Sequence, residues 1–303
     1  MCAKVKYGIW NEKKPDMASV NALVSAGYAP LSAMVLAARG IRNGTQAKTY
    51  LDRNAPLPDP FLMTDMALAA GRVALAIENK EKIAVFGDYD VDGITATCLL
   101  TDFLRRHGGS CVSYIPGRLE EGYGLNAIAL HQLHDEGVQL IVTVDCGITA
   151  VAEAQLSKEL GMDLVITDHH ECKDALPEAV AVVDPHRPDG GYPHKDLSGV
   201  GIAFKLACAL CGDTEAVLSE YADMVCLGTV ADVMPLRGEN RVFAARGLEL
   251  LAHTKRPGIA ALMAECGCDP KTVTSSTIGF MLAPRINAAG RMGQIDLAQI
   301  GRA

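Results

Sequence analysis

From Lys82 onward the chain repeatedly follows a short apolar run with a stretch of helical pattern, and this alternation restricts the fold more than any other feature. The runs are KIAVFGDYD, CVSYIPG, VQLIVTVDCG, MDLVITDHH and AVAVVDPH. Apolar strands separated by helices imply β-α units laid side by side on a parallel sheet. The expected fold class is therefore α/β, a parallel β-sheet flanked by helices, with an N-terminal helical lead-in and a helical C-terminal part. We place the lead-in at residues 1–78, the sheet domain at 79–240 and a helical extension at 241–303.

The lead-in is Ala-rich, broken by the Pro-rich NAPLPDPF at 54–61 and resumed by TDMALAAGRVALAIENK, where Thr64 can cap a helix. Beyond about residue 198 the chain reads helical through LSGVGIAFKLACAL, EAVLSEYADMVCLGTVADVMPL and RVFAARGLELLAH.

Composition excludes several classes. At 303 residues and 49% hydrophobic content the chain can bury a substantial core, and 21% charged residues argue against disorder. No apolar run reaches the roughly 18 to 20 residues that cross a bilayer, and the first residues lack a secretory apolar stretch, so we expect a cytoplasmic protein without membrane partners. Ten cysteines are scattered, several in apolar segments, and do not form a disulfide framework. Cys208 with Cys211, and Cys266 with Cys268, form close pairs, but structural zinc usually takes two well-spaced pairs on turns. The net charge of −8 opposes coating of nucleic acid by bulk positive charge. It leaves a nuclease open, because carboxylates that bind divalent cations supply negative charge which the bound ions then reverse locally.

Four of the five runs end in aspartate: Asp88 and Asp90, Asp145, Asp168, and Asp184. In open parallel sheets the ligands bind beyond the carboxyl ends of the strands, so these residues are expected on one rim. In GDYDVDG, Asp88, Asp90 and Asp92 alternate between a strand and a helix, and alternation in extended chain would send all three carboxylates to one side. Three such charges repel unless a divalent cation lies among them. An EF-hand is excluded, since no Glu follows at the twelfth position. In ITDHHEC, His169 and His170 offer imidazole nitrogen to a metal held by carboxylates, a mixture that favours Mn²⁺, whereas an all-carboxylate site accepts Mg²⁺ or Mn²⁺. Asp168 is either a ligand or a residue that orients a histidine. In APRINAAGRMG, Arg285 and Arg291 suit phosphate through their planar forks and Asn287 adds a neutral donor and acceptor. Gly199, at a helix start, can offer its N–H to another phosphate.

The order DxDxDG, VDxG, DHH resembles the DHH phosphoesterase superfamily, and EGYGLN, LSGVGIAFK, GTVADVMPL and IGFMLAPRINAAGRMG resemble its RecJ branch. The likeness runs from about residue 40 to about residue 297. It implies two ions, Mn²⁺ or Mg²⁺, on Asp90, Asp92, Asp145, His169 and Asp232, with Asp145 or a water bridging them. Several relatives have a histidine where this chain has Phe86, and Asp88 is the candidate substitute. His170 is implied as a contact to the scissile phosphate; Asp145, His169 and His170 are thus the catalytic candidates, with Gly199, Arg285, Asn287 and Arg291 on the nucleic acid. The resemblance implies 5′-to-3′ exonuclease action on single-stranded DNA in repair and recombination, with a single-strand-binding protein or a helicase as partners. It also implies continuation into a second catalytic domain with a GGH motif, which the 303 residues lack. A phosphoesterase acting on short RNA, cyclic dinucleotides or pyrophosphate, and a non-catalytic scaffold, are the alternatives.

Overall fold

The computed structural model describes residues 14–117, 122, 124–173 and 175–291, the side chains of 290 and 291 excepted. Residues 121 and 123 of EGYGLN thus lie outside the described residues.

The five apolar runs form the strands β1 (Lys82–Gly87), β2 (Ser110–Tyr114), β3 (Leu140–Val144), β4 (Asp163–Thr167) and β5 (Ala181–Val183). All pair in parallel, in the order β2-β1-β3-β4-β5. Both faces of the sheet are covered, which is why the runs are continuously apolar rather than alternating. One face presents Ala84, Phe86, Ile141, Leu164, Ile166 and Val182 to Ala129, Leu130 and Leu133 of α6 (Ala127–Asp135) and Ala154 of α7 (Val151–Glu159). The opposite-facing Ile83, Val85, Leu140, Val142 and Val165 are buried as well. Helices α4 (Met66–Glu78), α5 (Val91–Arg106) and α8 (Gly199–Cys211) pack on the strands. The chain leaves β1 towards β2 and later leaves β3 towards β4. The loops after β1 and β3 therefore diverge and open a crevice at the carboxyl ends of these neighbouring strands.

The chain divides into two compact units, Met1–Ala55 and Pro56–Ala303. The first consists of α1 (Met17–Ser25), α2 (Pro30–Ala38) and α3 (Gly44–Leu51) around Val20, Leu23, Ala33, Leu36 and Ala47. Asp16 and Asn43 cap α1 and α3 by accepting bonds from backbone N–H groups. The expected lead-in therefore ends early: α4 buries Met66, Ala69, Val73 and Ala76 and packs against β5 and α8 within the second unit. Its N-cap is Asp65, in a left-handed conformation, rather than Thr64.

The boundary expected at 240 also moves, because α10 (Gly238–Leu251) runs across it and packs along α9 (Thr214–Ala231). Then follow α11 (Pro257–Glu265), the single turn α12 (Ser275–Thr277), a π-helical turn (Ile278–Leu282) and α13 (Ala283–Arg291). Ile259, Met263, Ile278, Leu282 and Ile286 share one core with Val91 and Ile94 of α5, so the helical extension is built onto the sheet domain. Among the described residues no helix is long and apolar enough to cross a membrane.

Candidate metal centre

The crevice holds most of the acidic residues picked out in the sequence, though not by the expected route. The strand ends at Gly87; Asp90 is still extended, as the residue that precedes α5, but Asp92 lies within the first helical turn. Asp90 is the N-cap, its Oδ1 accepting the Gly93 N–H at 3.0 Å. Asp92, 1% exposed in the first helical turn, accepts the Gly199 N–H at 2.6 Å and the Val200 N–H at 3.0 Å. These are otherwise unpaired amides at the start of α8, and the helix dipole there favours a negative charge.

Asp145 follows β3 directly, is 2% exposed, and adopts φ 62°, the left-handed region that aspartate tolerates better than most residues. His169, at the end of β4, places Nε2 3.0 Å from Asp145 Oδ1, 3.7 Å from Asp232 Oδ2 and 3.9 Å from Asp92 Oδ2. Asp232 is the C-cap of α9. Two glycines permit this crowding. A Cβ on Gly199 would lie 2.4 Å from Asp145 Cβ, and one on Gly228 would lie 2.5 Å from Asp92 Oδ1. Gly228 escaped the sequence reading; its signal is a glycine inside a helix, in the buried stretch Met224–Thr229, a costly choice unless another group must approach.

Three overlapping sets of ligand atoms result, each within 4.8 Å of one another: Asp88, Asp90 and Asp145; Asp92, His169 and Asp232; and Asp145, His169 and His170. Asp88, Asp90 and Asp92 are thereby divided between neighbouring sets, and Asp145 joins them. Asp168 is in none of these sets. It accepts bonds from Ile148 N–H (2.9 Å), His169 N–H (2.8 Å), His170 N–H (3.3 Å) and His170 Nδ1 (2.7 Å), so it orients the histidine pair. Asp184 also stands apart, accepting the His186 N–H at 2.7 Å. Of the strand-end aspartates on the rim, then, Asp88 and Asp145 converge while Asp168 supports them.

Electrostatics follow from burial. Desolvation first, then Asp232 and Asp90, raises the Asp92 pKa well above its ordinary value; desolvation, Asp92 and Asp90 do the same to Asp145. Burial and Asp90 raise Asp232 to about 6. Burial and the neighbouring His170 depress His169 to about 4, which keeps its imidazole neutral and able to act as a ligand. For Asp168 burial acts upward, but the bonds from His170, Ile148 and His169 outweigh it and the pKa is lowered. The Asp168 bond in turn raises the exposed His170 to about 9. A metal fits this donor set. Asp145 Oδ1 is buried without a hydrogen bond although His169 Nε2 is close by, as expected of two groups that share a cation rather than a proton.

The residues assigned to nucleic acid separate. The Gly199 N–H is taken by Asp92 and not turned to a phosphate. Asn287 Oδ1 accepts the Val91 N–H at 3.1 Å, fastening α13 to the start of α5 beside Asp90. Arg285 is exposed and donates to the Met281 carbonyl at 2.7 Å. Arg291 closes α13, its side chain outside the described residues.

A doubly wound parallel sheet with acidic and imidazole groups meeting over the β1–β3 crevice defines a class of metal-binding domain. Residues 82–229 match the DHH family, N-terminal domain, and the chain belongs to that family. Within it, the chain is 43% identical over 291 residues to the single-stranded-DNA-specific exonuclease RecJ of Bacillus subtilis (strain 168), covering 95% of this chain and 37% of the relative. Identity to RecJ of Escherichia coli (strain K12) is 36% over 282 residues, covering 88% and 48%. The crystal structure of RecJ from Thermus thermophilus in complex with Mn²⁺ matches with a TM-score of 0.80 at 29% identity, covering 96% of this chain and 42% of that one. An exonuclease RecJ bound to manganese matches at 0.71 and 36% identity, covering 80% and 62%. The chain thus spans less than half the length of these two curated relatives.

Proposed function

We propose that this chain forms the metal-binding part of a nuclease that hydrolyses phosphodiester bonds of single-stranded DNA from the 5′ end. The carrying observation is Asp145, which belongs to an all-carboxylate set with Asp88 and Asp90 and places its Oδ1 3.0 Å from Nε2 of His169, a member of the neighbouring set with Asp92 and Asp232. Asp88, Asp90 and Asp145 would hold one divalent ion, and Asp92, His169 and Asp232 the other. Mn²⁺ or Mg²⁺ held there supplies Lewis-acid polarisation of the phosphate and activation of an attacking water. The chain's own groups do the rest. Asp168 fixes the histidine pair, and His170, raised to about 9, brings a positive charge to the mouth of the crevice where an anionic strand would enter. The N-termini of α5 and α8 hold Asp90 and Asp92 rigidly, so that ligand geometry is set before any ion arrives. Similarity to single-stranded-DNA-specific exonucleases supports the substrate class; a cytoplasmic setting, and encounters with a single-strand-binding protein or a helicase, are part of the same proposal.

The test is a Mn²⁺ titration of the chain by calorimetry beside digestion of a 5′-labelled single strand, each repeated with Asp145→Ala. We expect two ions per chain and shortening of the strand with the wild type, and loss of both with the variant. Equal Mn²⁺ binding by the two proteins would remove the assignment. Digestion of a dinucleotide in preference to the strand would redirect the substrate to short oligonucleotides.

A further inference from the structure

Away from the acidic crevice, three sulfur-bearing residues, Cys266, Cys268 and Met281, are in contact with one another beside the π-helical turn. Cys266 is the C-cap of α11, and Cys268 follows after Gly267, whose φ of 64° turns the chain so sharply that other residues rarely occupy such a position. Cys268 Sγ lies 3.9 Å from Met281 Sδ. Cys266 Sγ lies 3.8 Å from the Met281 carbonyl oxygen, and Cys268 Sγ 3.9 Å from the Cys266 carbonyl oxygen, so both thiols lie against Met281, Cys268 at its thioether and Cys266 at its backbone. All three side chains are only partly buried, unlike Cys226 of the adjoining core, and so remain within reach of an ion. Met281 is positioned by the π-helical turn, a rare geometry that recurs at functional sites.

Chemistry narrows the ligand. Three sulfurs around one ion, each at about 2.3 Å, stand about 4 Å apart, and the Cys268–Met281 separation meets that spacing. Thiolate and thioether donors together select soft ions, whereas hard divalent ions prefer the oxygen donors of the crevice.

We propose that Cys266, Cys268 and Met281 form a site for one soft monovalent metal ion of the copper(I) type, bound by two thiolates and one thioether. Binding displaces the two thiol protons into solvent and involves no change of oxidation state.

The reduced 303-residue chain, titrated anaerobically with Cu(I) against a chromophoric Cu(I) chelator, should withdraw one ion per chain. Cys266→Ser with Cys268→Ser should abolish the withdrawal. Cys208→Ser with Cys211→Ser, which alters the other close pair, should leave it unchanged. Met281→Leu keeps the side-chain volume and should weaken binding at least about tenfold, the scale on which even outer-shell partners act. X-ray absorption of the loaded chain should show three sulfur neighbours. Unchanged withdrawal by the Cys266/Cys268 variant overturns the site, as does a two-sulfur shell with wild-type affinity in Met281→Leu. Should the double serine variant fail to fold, the leucine variant and the absorption spectrum decide by themselves.

Discussion

Two groups of buried charge in the second unit are treated in opposite ways. Near α8, Lys205 is 0% exposed and Glu239 3% exposed, and they form an ion pair. Tyr192 donates its hydroxyl to Glu239 at 2.6 Å, and Lys205 also donates to the Pro58 carbonyl at 2.8 Å. Here the chain supplies its own cation and satisfies it. In the crevice Asp92 and Asp145 are just as deeply buried, yet neither pairs with a lysine or arginine among the described ion pairs. A fold that neutralises one buried carboxylate so fully, and leaves two others to repel, has the second group prepared for cations from outside.

The largest expected effect lies on the compensated side. Lys205→Met strands the Glu239 charge and should lower unfolding free energy by about 3–5 kcal/mol in urea titration, while Lys205→Met with Glu239→Gln recovers most of it. A neutral single variant would break the comparison. On the other side, Mn²⁺ at about 100 times its dissociation constant should stabilise the wild type by about 2.7 kcal/mol, seen as a rise in Tm that Asp145→Ala lacks. Gly199→Ala sharpens the point, because its methyl group would enter the space of Asp145; a cost of about 1–3 kcal/mol is expected in the same assay, with Mn²⁺ affinity reduced.

The smallest effect concerns pH. Asp92 and Asp145 are raised well above 3.8, Asp232 to about 6, and Asp184 to about 8, chiefly by burial. Their folded pKa values exceed the unfolded ones, so the folded chain holds extra protons, and their contribution is lost as pH rises through the folded values. The metal-free chain should therefore unfold at lower urea at pH 8 than at pH 5, and saturating Mn²⁺ should narrow the gap. A midpoint that rises with pH in EDTA would contradict this.

The strands were legible because burial on both faces makes each run continuously apolar, and Asp88 and Asp145 because aspartates at strand ends are conspicuous. Asp232 was legible only through family resemblance: at the end of α9 it looks like any helix-end charge until the fold brings it 3.7 Å from His169. The glycine contacts and the Lys205–Glu239 pair join residues far apart in the chain with no periodic trace. Asn287 was read as a substrate contact from its basic surroundings, but its bond to Val91 depends on α13 packing against α5, which residue types alone do not specify. The boundary at 240 failed because α10 crosses it without any break in helical pattern.

The left-handed backbone of Asp145 offers a way to separate contour from charge. Alanine there removes the carboxylate and also disfavours the bend, whereas asparagine tolerates the bend and takes away only the ionisation. Asp145→Asn should therefore keep the crevice's outline while losing its grip on ions, giving a twin of the chain that differs in ionisation alone.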